Sequence, residues 1–287
     1  MKNFLKILFL IISICGLSFN SYSAEKVEYL KTDWSFKGLF GKFDRGALQR
    51  GYQVYTEVCS SCHSMKYLSY RNLSEKGGPE FTVEQTKAIA ASFEVKDGPN
   101  ADGEMFTRPG KLSDKFVMPY ENVKAAQAAN GGAYPPDMSV LVKARGGGAN
   151  YIYSLLQGYE DPPAGVTLDD GVYYNKYMPG NKIKMSEPVY DGIVEYADGT
   201  PSSKEQVAKD VTAFLVWASE PHLEAQHRMG FKTIVYLIIL ITLVYMSKQK
   251  VWSRFNPKSE EEEKEEIFDK VEKVVTKYEG EDSKTFK

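Results

Sequence analysis

Apolar positions along this 287-residue chain fall into two kinds of pattern, short helical stripes and two unbroken runs. The clearest stripe follows Ser202 and Ser203, both able to cap a helix. It carries Val207, Val211, Phe214, Leu215 and Ala218 on one face and stops at Pro221, which predicts a helix over 204–220. Leu48, Tyr52, Tyr55 and Val58 recur at intervals of four, three and three, predicting a helix over 45–58. Shorter helices are expected over 83–92, 138–144 and 149–157. The connections between them, such as DGPNADGE and ANGGAYPPD, are long and full of turn formers. The expected fold is mainly α, with long loops around a few helices.

The unbroken runs carry a different message. Lys2 and Lys6 lead into apolar residues from Ile7 to Phe19, and small residues follow at Ser21, Ser23 and Ala24. That order is the order of a secretory signal peptide, over residues 1–24. A retained N-terminal anchor is the alternative, but the run is short against the roughly 20 residues a span needs. Cleavage near Ser23 or Ala24 would remove Cys15. The second run, GFKTIVYLIILITLVYM from Gly230, holds one charge, Lys232, and predicts a single C-terminal transmembrane helix over 230–249. Lys248, Lys250, Arg254 and Lys258 follow it, against Arg228 and Lys232 at its start. The excess places the C-terminus in the cytoplasm and residues 25–229 on the outer side of a cell membrane. In the remaining tail, 250–287, Ile267, Val271, Val274 and Tyr278 form a narrow helical stripe after EEEEKEE. A solvated helix is expected there, with a docking helix as the alternative.

Charge narrows the partners. The chain carries 36 basic and 38 acidic residues, a net charge of -2, which argues against nucleic-acid binding. Residues 151–200 hold eight acidic side chains against three lysines, so that stretch either steers a basic partner or is a solvated surface.

The candidate chemistry sits in Val58-Cys59-Ser60-Ser61-Cys62-His63. Cys-x-x-Cys-His is the pattern of c-type haem attachment: two thiols on one turn reach the haem vinyl groups, and the next residue offers an imidazole to the iron. Structural zinc normally needs four ligands, and His222 and His227 lie far along the chain beside the second apolar run. A thiol–disulfide oxidoreductase would share the cysteine pair but place it after a strand, whereas the residues before Cys59 have helical spacing. A second axial ligand could come from Met105, Met118, Met138, Met178 or Met185, and spacing does not choose among them.

Several longer stretches resemble the cytochrome c1 family, over roughly residues 34 to 255: WSFKGLFGKFDRGALQRGYQVYTEVCSSCHSM, NGGAYPPDMS, VKARGGGANYIYSLLQGYEDPPAG and SEPHLEAQHRMGFK. The resemblance implies one covalent haem c in an electron-transfer subunit of quinol:cytochrome c oxidoreductase, with no catalysis of its own. It selects Met185, in Pro179-Gly180-Asn181-Lys182-Ile183-Lys184-Met185, as the iron's second ligand opposite His63. It also implies that Arg145 lies near a haem propionate, where the plain alternative is a surface arginine. The implied partners are cytochrome b, the Rieske iron-sulfur protein as donor and a mobile c-type cytochrome as acceptor, in a dimeric complex of the bacterial inner membrane with the haem domain periplasmic. Some relatives carry an extra disulfide near GYEDPPAG, and this chain has no cysteine there.

Overall fold

The computed structural model describes residues 27–255 and 260–282. The expected signal peptide, with Cys15, lies outside the described residues. Two compact units are present, residues 1–226 and 227–287, each considered by itself.

The first unit is built on two helices. Helix α1, Arg45–Val54, starts where the Asp44 carboxylate accepts the amide of Ala47, satisfying one donor of the first turn. Its turns then widen into a π-helical segment, Tyr55–Cys59, in which the Ser60 amide reaches back to the Tyr55 carbonyl at 2.8 Å. The expected helix over 45–58 is therefore one element of two geometries, and π turns of this kind favour functional positions. Helix α2, Val83–Ala91, opens with a reciprocal Thr82–Gln85 capping box. A two-stranded hairpin follows, β1 (Glu94–Asp97) against β2 (Phe106–Pro109). Helix α3, Val123–Ala129, was not legible as an apolar stripe because its sequence, VKAAQAA, buries only Ala126. Helix α4, Ala149–Gln157, has the expected bounds. The strands β3 (Tyr173–Tyr174) and β4 (Lys182–Ile183) close a second small hairpin.

Helix α5, Lys204–Ser219, begins with Ser203 accepting the Gln206 amide and ends one residue before the expected limit, at a Glu220 cap ahead of Pro221. Residues 138–144 are not a helix. They form successive turns, with amides of Leu141 and Lys143 bonded to carbonyls three residues back, and Gly146, Gly147 and Gly148 follow at once. Such a short run before three glycines cannot repay helix nucleation.

The core lies between α1 and α5. A Cβ on Gly51 would sit 2.2 Å from the Asp210 carbonyl oxygen, so the helices touch backbone to backbone there. Phe214 and Trp217 are buried beside this contact, with Tyr52, Tyr55, Tyr70 and Phe116 packed edge-to-face or tilted around Phe214 and one another. The side chain of Asp210, 1% exposed, is paired with Arg50 at 2.8 Å and 3.1 Å, and Arg50 also reaches Asp198 at 2.7 Å. A few long loops can thus be held by a side-chain core of the chain's own, to which Cys59 belongs.

Helix α6, Leu223–Trp252, is 30 residues with a mean hydropathy of 2.0 over its most apolar stretch, none of it buried. At about 1.5 Å per residue it is long enough to cross a bilayer. It is the single anchor helix of the fold. Helix α7, Glu260–Asp282, carries Ile267, Phe268 and Val271 exposed.

Candidate haem-binding site

The end of the π-helical segment sets the site. The amides of Cys62 and His63 both bond the Cys59 carbonyl, at 3.2 Å and 2.9 Å, so one tight turn carries both thiols and the imidazole. Cys59 is buried and Cys62 half-buried, and both are free thiols. Burial, with a smaller contribution from nearby Cys62, pushes the Cys59 thiol up to about 12. A thiol–disulfide exchange centre needs the opposite shift, toward thiolate at neutral pH, so the geometry speaks against that alternative.

His63 is 9% exposed, with Nδ1 at 2.8 Å from the Pro136 carbonyl oxygen. A carbonyl only accepts, so Nδ1 carries the proton and Nε2 keeps its lone pair. Burial lowers the imidazole's proton affinity further, which keeps the ring neutral. Neutral, oriented by a backbone carbonyl and with a free Nε2, the ring meets the usual requirements of a metal-ligating histidine. Tyr55 adds a second restraint, its hydroxyl donating to the His63 carbonyl at 3.2 Å.

The stretch PPDMS, quoted in the sequence only as a signature, has a physical task. Asp137 accepts the Ser64 hydroxyl at 2.8 Å and the Lys66 amide at 3.0 Å, the Met138 amide donates to the Ser64 carbonyl at 2.8 Å, and Ser139 accepts the Tyr67 amide at 3.1 Å. Burial opposes ionisation of Asp137, but hydrogen bonds from Ser139, Lys66 and Ser64 outweigh it and hold the carboxyl below its usual range. Residues 136–139 therefore clamp the segment that follows the Cys-x-x-Cys-His turn.

Met185 lies two residues beyond β4, half-buried, and its carbonyl accepts the Tyr159 hydroxyl at 3.1 Å. Its neighbour Lys184 bonds the Gly131 carbonyl at 2.8 Å, which links this strand to the loop that orients His63. The other methionines divide clearly. The Met178 sulfur accepts a hydrogen bond from Tyr151 at 3.5 Å, Met138 is buried in the core, and Met105 and Met118 are 64% and 52% exposed. Arg145 is exposed, bonds the adjacent Ala144 carbonyl at 3.1 Å, and lies close enough to Tyr151 to oppose the upward push of burial on that phenol. Cys59, Cys62 and His63 are thus brought onto one turn, while Met185 and Arg145 come from two separate loops.

A mainly helical domain bearing this turn, continued by one bilayer-length helix, defines the class of membrane-anchored haem proteins. The chain belongs to the Cytochrome C1 family, whose model matches residues 34–255. It is 51% identical over 239 residues to a Bradyrhizobium diazoefficiens protein named cytochrome b/c1, covering 77% of this chain and 35% of that relative's length. It is 46% identical over 243 residues to "Cytochrome c1-1, heme protein, mitochondrial" of Solanum tuberosum, covering 85% of this chain and 75% of the relative. Cytochrome c1 of Rhodospirillum rubrum is 45% identical over 238 residues, with 77% and 86% covered. By family, then, the chain is a haem-binding electron-transfer subunit of the bc1 type.

Proposed function

We propose that this chain holds one covalent haem c and relays single electrons from a Rieske iron-sulfur protein to a soluble or membrane-tethered c-type cytochrome. It does so beside cytochrome b, in a dimeric quinol:cytochrome c oxidoreductase of a bacterial inner membrane, and binds no quinol itself. The haem domain, 25–229, faces the periplasm, the anchor is 230–249, and 250–287 is cytoplasmic after a signal peptide over 1–24 is removed. The observation that carries the reading is the Nδ1 contact of His63 with Pro136, which leaves Nε2 available beside two neighbouring thiols.

In this reading Cys59 and Cys62 hold the group by thioether bonds, so it is retained through every turnover. His63 and Met185 are the axial ligands, and Arg145 offers its guanidinium to a propionate. When bound, the haem supplies a one-electron carrier, and thioether ligation favours the reduced iron, giving a high potential suited to a high-potential donor. The residues do the rest: Pro136 fixes the imidazole, Asp137 braces the turn, and Tyr159 pins the backbone of Met185.

A pyridine haemochrome spectrum of the full chain, expressed with haem-attachment machinery, tests the first step. A c-type spectrum that survives denaturation and acid-acetone extraction is expected. Extractable haem, or none, would overturn the reading. Co-purification with a b-type haem tests the complex.

A further inference from the structure

The loop that enters α1 has the features of a lipid-contacting tip. Residues 34–43 leave the core at Trp34 and Phe36 and return to it at Phe43, with these three rings stacked or tilted at 5.4 Å and 5.3 Å. Between them the chain turns sharply. The Gly41 amide bonds the Gly38 carbonyl at 3.3 Å, and the Lys42 amide bonds the Ser35 carbonyl at 3.0 Å, closing the neck. Gly38 has φ +87°, and a Cβ on Gly41 would lie 2.3 Å from the carbonyl oxygens of Phe36 and Lys37, so the turn requires both glycines. The two residues at its apex are Leu39 and Phe40, 55% and 66% exposed. A fixed turn with a buried aromatic root holds two large apolar side chains in solvent, where they cost free energy unless something covers them.

What lies beside the root decides the occupant. The Phe43 amide donates to Glu224 Oε1 at 2.9 Å, and Arg45 grips the same carboxylate at 2.7 Å and 3.0 Å. Glu224 is in the first turn of α6, the anchor helix. Its apolar run starts at Gly230, about 9 Å further along the helix axis at 1.5 Å per residue. That distance is comparable to the thickness of one headgroup layer. Lys37 and Lys42 flank the tip, both exposed, and can meet anionic headgroups. We propose that Leu39 and Phe40 insert into the outer headgroup layer of the bilayer, next to the entry of the anchor helix. The tip is a second, shallow membrane contact of the haem domain. This rests on the single-pass reading of α6, but not on the haem.

The test places a nitroxide on Leu39→Cys in the mature, haem-loaded full chain, where Cys59 and Cys62 are already consumed as thioethers. The chain is held in nanodiscs of equimolar phosphatidylcholine and phosphatidylglycerol, and collision with oxygen is compared with collision with a water-soluble nickel chelate. An oxygen-to-nickel ratio roughly threefold or more above that of the same label at Ala101→Cys, on the β1–β2 loop, is expected for a group in the apolar part of the headgroup layer. Equal ratios at the two positions would overturn the proposal. A label that neither reagent reaches, in nanodiscs holding the complete complex, would show that protein covers the tip and would overturn it as well. A label at Val244→Cys reports the anchor itself, so a water-exposed reading there marks failure of the single-pass assignment rather than of the tip. The haemochrome spectrum is independent of all three.

Discussion

The hydroxyl of Tyr151 lies 3.5 Å from the sulfur of Met178, so one of the two methionines around the Pro179-Gly180 turn already has its lone pair engaged within the protein. Met185 has its backbone, not its sulfur, tied down by Tyr159. The two side chains therefore respond differently to removal. Met185→Leu is expected to keep covalently bound haem and to lower the midpoint potential, by an amount that changes the one-electron equilibrium tenfold for each roughly 59 mV. Met178→Leu is expected to leave it nearly unchanged. Redox titration of the haem absorption band on both variants reads the difference, and the reverse order would reassign the ligand to Met178.

Gly51→Ala tests the helix crossing. The added methyl would meet Asp210 backbone at 2.2 Å and the Phe214 Cβ at 2.7 Å, neither of which is a flexible end. Forcing α1 and α5 apart is expected to cost about 1–3 kcal/mol, measured as a lower urea midpoint for the haem domain. An unchanged midpoint would mean the helices can separate at no cost.

Asp210→Ala leaves the guanidinium of Arg50, 17% exposed, without its most buried partner. Removing one member of a buried pair is expected to destabilise by about 3–5 kcal/mol. Asp198→Ala, whose carboxylate is 45% exposed, is expected to cost no more than about 1 kcal/mol. Similar losses for the two variants would contradict this ranking.

Acid stability should report on Arg108. Its guanidinium bonds Asp114 at 2.6 Å and 3.0 Å, and this contact, ahead of the amide of Lys111, holds the Asp114 carboxyl at about 2, below its usual 3.8. A depressed carboxyl stabilises the fold above its unfolded value, and that contribution is lost as pH falls toward the folded one. Thermal midpoints should therefore drop between about pH 4 and pH 2, and Asp114→Asn should flatten that limb. An identical acid limb in the variant would show that other groups control it.

Truncation after Pro257 removes α7, whose described side chains from 262 to 273 are exposed. Haem attachment and electron transfer are expected to persist, read by haemochrome spectrum and cytochrome reduction. Failure of the complex to assemble would instead make α7 a docking helix.

Sequence alone determined what local covalent order can encode. Cys59, Cys62 and His63 lie within five residues, so any turn at that point brings them together, and the apolar run from Gly230 predicts a bilayer-length helix by composition without reference to a fold. The stripe and caps of α5 were equally local, and its start at Lys204 was readable from Ser203. Tertiary structure decided the rest, because it depends on contacts between distant segments. The tautomer of His63 is set by Pro136, 73 residues away, and the task of Asp137 as a brace exists only because that loop folds back over Ser64 and Lys66. The widening of α1 into a π turn and the failure of 138–144 to become a helix follow from hydrogen bonds and glycines that an apolar stripe does not register. Whether a methionine sulfur is free or engaged likewise depends on a tyrosine from another helix, and a one-dimensional pattern carries no record of which side chain arrives there.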